Sequence, residues 1–96
     1  MFTITESKKI LGVLPKQFDS HDFIRVGALL TTSSFLDLLK QYQGDFTTID
    51  SQIGQFLNRC AQKQNLPIRK IGEQESETIV GTFRKCAIWN KIDSIH

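Results

Sequence analysis

Amide, hydroxyl and basic side chains collect on one side of the segment 47–64. At about 100° per residue, Ser51, Gln55, Asn58 and Gln62 lie opposite an apolar stripe, with Thr48, Gln52 and Arg59 on the flank. Arg59 and Lys63 make the C-terminal half basic, and Asp50 is the acid of this outer side. Gln and Asn both donate and accept, the two-point pattern that fits the major-groove edge of adenine, and Arg fits guanine. Hydroxyls near a helix N-terminus suit phosphate oxygens. Two basic pairs follow, Arg69-Lys70 and Arg84-Lys85, in a stretch with strand character. Side chains alternate along a strand, so one member of each pair is expected to face solvent and add a phosphate-facing patch at a hairpin's base. Glu73, Glu75 and Glu77 are expected at the hairpin tip, where they repel a DNA backbone and suit a protein partner.

Catalytic and metal chemistry leave no mark of comparable strength. His21 falls in the first turn of a helix, a position for a surface or capping role, and His96 is terminal. Cys60 and Cys86 are far apart and belong to no Cys/His ligand spacing, so both read as small apolar residues; geometry alone decides whether they pair. There is no Gly-rich phosphate loop, no HExxH and no local nucleophile–base pair. The chain is therefore expected not to be an enzyme, and to need no cofactor or metal.

Composition fits one small domain with one core. Of 96 residues, 40% are hydrophobic and 23% charged, and seven Phe supply large apolar bodies. The net charge of +2 is too mild for a general nucleic-acid coat, yet compatible with a site-specific binder. No apolar run nears the roughly 20 residues of a membrane span, and Ile10–Leu14 is too short for a secretory signal. A cytoplasmic protein that does not engage the membrane is expected.

The elements that must position these residues are read from period and punctuation. Residues 1–19 form an N-terminal arm, expected to pack on the domain or on a second copy of it and read as a strand and helical turn or as one short helix from about Thr5 that Pro15 ends. A domain over 20–96 follows. Its first helix starts near Ser20, capped by Asp19 or Ser20 with Asp22 in the first turn, and buries Phe23, Val26, Gly27 and Leu30. Thr31, Thr32, Ser33 and Ser34 interrupt it. A second helix presents Phe35, Leu38, Leu39 and Tyr42 and stops at Gly44. The third, capped by Thr47 or Thr48, buries Ile49, Ile53, Phe56, Leu57 and Cys60 and ends at Asn65-Leu66-Pro67. Ile68–Ile71 reads as a strand, Gly72–Ser76 as a turn, and Thr78–Ile92 as a longer β segment bent or bulged at Gly81.

Helix, turn, helix and hairpin, spanning Ser20 to Ile92, is an element order that resembles the winged-helix superfamily of DNA-binding and interaction domains. The run Gly81-Thr82-Phe83-Arg84-Lys85-Cys86-Ala87-Ile88-Trp89 is similar to the returning wing strand of such domains. The resemblance implies an α+β fold: a three-helix winged-helix-like domain with a C-terminal β-hairpin, preceded here by the arm. It also implies a small transcriptional regulator, acting as a homodimer, whose third helix reads double-stranded DNA in the major groove. The alternative is a winged-helix protein-interaction module that binds no DNA.

Overall fold

The computed structural model describes residues 1–92; His96 and the last residues of the expected 20–96 domain lie outside them. Helix α1 runs over Ile4–Val13. Thr3 caps it in a reciprocal box: its hydroxyl accepts the Glu6 N–H, and the Glu6 carboxylate accepts the Thr3 N–H. Leu14 is extended (φ −74°, ψ 151°), as the residue before a proline prefers, so the helix stops there. A short strand β1, Gln17–Asp19, leads into helix α2, Ser20–Leu30, which Asp19 caps in a second such box with Asp22.

Helix α3, Thr32–Gln41, begins after one non-helical residue. The Thr31–Ser34 run therefore breaks the helix at Thr31 and does not form a four-residue gap. The Thr31 and Thr32 hydroxyls donate back to the Gly27 and Ala28 carbonyls, so they satisfy the end of α2 without unwinding the start of α3. Gln43 and Gly44 turn the chain through positive φ, and helix α4 covers Phe46–Gln62. Its cap is Asp45, not Thr47 or Thr48: one carboxylate receives both of their N–H groups and the Thr48 hydroxyl.

Strands β2, Ile68–Glu77, and β3, Phe83–Lys91, form the hairpin, and β1 pairs with the other edge of β3. The sheet is antiparallel throughout, ordered β1-β3-β2. The hairpin turn lies at Thr78–Thr82, where the Thr78 N–H donates to the Thr82 carbonyl and Gly81 has φ +88°. This corrects the expected turn at 72–76. Glu73, Glu75 and Glu77 are not at the tip but run along β2. Glu75 sits opposite Lys85, and Glu73 lies 3.2 Å from Lys70 and 3.9 Å from Lys85. The continuous ladder to β3, with Glu73–Lys85 as a cross-strand charge contact, thus carries a strand through a composition that locally reads as a turn. The bulge is at Ile71, between Lys70 and Gly72, and not at Gly81.

The core joins all four helices to the sheet. Ile49, Ile53, Phe56, Leu57 and Cys60 of α4 are its buried face, matching the period read from sequence. Phe23, Ile24 and Gly27 are buried on α2, whereas Leu30 is 42% exposed. The stretch 1–19 packs on the rest of the domain and not only on its surface: Phe2, Ile10, Leu11, Leu14 and Phe18 all belong to the core. Burying each such side chain contributes about 1.5–3 kcal/mol, so the domain depends on this segment. Among the described residues, no helix is long and apolar enough to cross a membrane.

Candidate nucleic-acid interface

The outer face of α4 and the hairpin face each other across a groove of about 420 Å³. Ser51, Gln55 and Asn58 form one wall because they stand opposite the buried stripe of α4. Lys70, Arg84 and Lys85 form the other, with Glu73 between them. The Arg84 guanidinium donates to the Thr47 hydroxyl at 3.4 Å, which joins the walls near the start of α4. Half of the residues singled out in the sequence thus share one concave surface.

The others are placed elsewhere. Thr48 is half-buried and its hydroxyl caps α4 through Asp45 (2.9 Å), so it is committed to the helix start. Gln52 is half-buried outside the groove, and Arg59, Gln62 and Lys63 are exposed beyond it, towards the C-terminal end of α4. Arg69 is separated from Lys70: it lines a different hollow with Lys16, Asn90 and Lys91. All four residues of the two basic pairs are exposed, not one of each.

Beneath the groove lies a polar cluster that the sequence did not announce. His21, expected in a surface or capping role, is 3% exposed. Its Nδ1 is 2.7 Å from the Ser76 hydroxyl, and its Nε2 is 3.9 Å from an Asp50 carboxylate oxygen. The Ser76 hydroxyl also lies 3.5 Å from the Cys86 sulfur. Asp50 Oδ1 is buried without a hydrogen-bond partner. Burial pushes the Asp50 carboxyl above the usual carboxylate range, although the nearby His21 and Arg84 oppose the rise. Asp19 shows the opposite balance. Burial raises its carboxyl, but hydrogen bonds from the Asp22 N–H, the Ser76 hydroxyl and the Gln74 amide outweigh that and hold it low. Ser20, beside His21, accepts the indole N–H of the fully buried Trp89 at 3.0 Å.

The contacts of His21 with Ser76, Asp19 with Gln74 and Ser20 with Trp89 join residues 55 to 69 positions apart, so no local spacing could reveal them. Cys60 is a small buried residue as expected, with its thiol pushed up by burial. Cys86 is only half-buried and sits in the polar cluster, and both cysteines are free. The chain matches no protein-family model, no curated protein and no solved structure.

Proposed function

We propose that this domain binds double-stranded DNA, in a winged-helix arrangement, with the outer face of α4 directed at the major groove. One observation carries the proposal: the amide and hydroxyl wall of Ser51, Gln55 and Asn58 faces the basic wall of Lys70, Arg84 and Lys85 across a single groove. The first wall offers base-edge hydrogen bonding and the second offers phosphate contacts. A strand ahead of α2 that pairs with the returning hairpin strand adds support at the level of topology. Glu73 belongs to the design as the counter-charge that orders Lys70 and Lys85 before an anion displaces it. An exposed pair of this kind is worth at most about 1 kcal/mol, so a phosphate can compete with it.

Titration of mixed-sequence duplexes, followed by fluorescence anisotropy at low and moderate salt, tests the reading. Wild type binds at low salt, and binding weakens as salt rises. Arg84→Ala weakens binding to every sequence and lowers the slope of log K against log salt by about 1. Gln55→Ala leaves that slope unchanged and reduces discrimination among sequences. No binding to any duplex at low salt overturns the proposal.

A second reading, a module that binds protein, is favoured by the far end of the hairpin. There Val80 is 52% and Phe83 68% exposed, beside the acidic strand β2. It expects duplex binding to be absent, and a partner's binding to weaken when Phe83 becomes Ser or when Glu73 and Glu75 are reversed in charge.

A further inference from the structure

We propose that Asp19, His21 and Cys86 form a binding site for a divalent transition metal of the zinc class. One oxygen, one ring nitrogen and one sulfur from these residues all lie within 4.8 Å of one another. Ligands around tetrahedral zinc, at about 2.0–2.3 Å from the ion, stand about 3.3–3.8 Å apart. Closing the difference needs a movement of roughly 1 Å by side chains alone, well within a rotamer adjustment. A thiolate with an imidazole and one carboxylate is a donor set that suits zinc and disfavours magnesium or calcium, which take oxygen ligands.

The surroundings of His21 are those of a metal ligand. Its Nδ1 points to the Ser76 hydroxyl, which in turn contacts the Cys86 sulfur, so nitrogen and sulfur face a common space. Its Nε2 points to the Asp50 carboxylate. The tautomer that carries its proton on Nε2, the side of Asp50, leaves Nδ1 the lone pair that a metal requires. A carboxylate hydrogen-bonded behind a histidine is the usual outer-shell partner that fixes tautomer and ring orientation, and the half-buried Asp50 has to close from 3.9 Å to hydrogen-bond distance to serve as one. The Asp19 carboxylate accepts from the Asp22 N–H, the Gln74 amide and the Ser76 hydroxyl; it has about four lone-pair sites, and displacing Ser76 frees one more for an ion. Ser76 turns its hydroxyl aside about one torsion, and a water takes the fourth position. On binding, the Cys86 thiol gives its proton to solvent and its sulfur bonds the ion as a thiolate.

Asp19 and His21 stand at the start of α2, and Cys86 is on β3. The ion therefore pins the hairpin to the helical part and fixes the distance between the two walls of the groove. The site does not depend on what the groove binds.

The test is titration of the full chain, reduced and metal-free, with Co²⁺ and Zn²⁺. One equivalent of Co²⁺ is expected to bind with a sulfur-to-cobalt charge-transfer band, which Zn²⁺ displaces, and Zn²⁺ is expected to raise the melting temperature. Cys86→Ser abolishes the band, His21→Gln lowers affinity at least tenfold, and Asp50→Asn lowers it about 10- to 100-fold. Cys60→Ser and His96→Gln retain the full signal. The band in the wild-type chain reads the site directly even if a variant fails to fold. Absence of the band, its persistence in Cys86→Ser, or its loss in Cys60→Ser overturns the proposal. Loss of DNA binding with the band intact overturns the groove's reading and leaves the metal site standing.

Discussion

Glu6 shows how one carboxylate can serve two elements. It closes the cap of α1 through the Thr3 N–H at 2.9 Å and accepts the Ser34 hydroxyl of α3 at 2.7 Å. The Thr3 backbone bond, then the Ser34 bond, hold its carboxyl below the usual range. A lowered acid contributes stability that is complete above its unfolded value and is lost as pH falls through its folded value. Glu6→Gln is thus expected to lower the urea midpoint at pH 7, and the difference from wild type is expected to shrink on acidification and vanish below the folded value. A midpoint difference that stays constant from pH 7 to 3 contradicts this. At this scale the sequence was legible wherever a residue acts on close neighbours. Asp19 and Asp22 could be read as helix-start residues three positions apart, and the structure joins them in a capping box. His21, two positions further along from Asp19, was misread, because what fixes it is Ser76, 55 positions away.

Helix pairs depend on how closely two backbones approach. Gly27 of α2 is such a point: a Cβ there stands 2.6 Å from the Phe2 ring and 3.2 Å from Ile10 Cδ1. Gly27→Ala is expected to force the Phe2 ring and α1 outward and to cost about 1–3 kcal/mol, read as a lower denaturant midpoint with unchanged slope. A midpoint equal to wild type would mean that the ring yields freely. The period of α2 placed Gly27 on the inner face, but nothing local shows that the N-terminal segment is what covers it. The hairpin is the converse case. Gly72 and the acids after it carry turn-like composition, and only their pairing with Lys85 and its neighbours on β3 makes them a strand. The true turn, at Thr78–Thr82, is held by the Thr78 hydroxyl, which meets the Thr82 hydroxyl at 2.8 Å.

For the molecule as a whole, residues 1–19 matter most. They supply α1, the edge strand β1 and the core side chains Phe2, Ile10, Leu11, Leu14 and Phe18. Phe18 pairs with Trp89 across the sheet, so the segment closes both the helical layer and the strand order. Removing residues 1–16 is expected to abolish cooperative unfolding, with loss of the near-ultraviolet signal of Trp89. An arm merely resting on an independent 20–92 domain would leave a sharp thermal transition, and that result refutes the placement. The groove belongs to this scale too, since its walls come from α4 and from the hairpin, each fixed by the shared core.

The sequence by itself determined the buried stripe of α4, the start of α2 near Ser20 and the outward face carrying Ser51, Gln55 and Asn58, and it offered the stop at Pro15 as one of two readings of the N-terminal stretch. Each follows from hydrogen bonds or periodicity within a few residues, where chain geometry leaves little choice. The tertiary structure decided the pairing of β1 with β3, the position of the hairpin turn, the separation of Arg69 from Lys70, and the assembly of Asp19, His21, Ser76 and Cys86 under the groove. Those outcomes join residues far apart in the chain. Their proximity is set by which apolar surfaces pack together, and no local pattern encodes it.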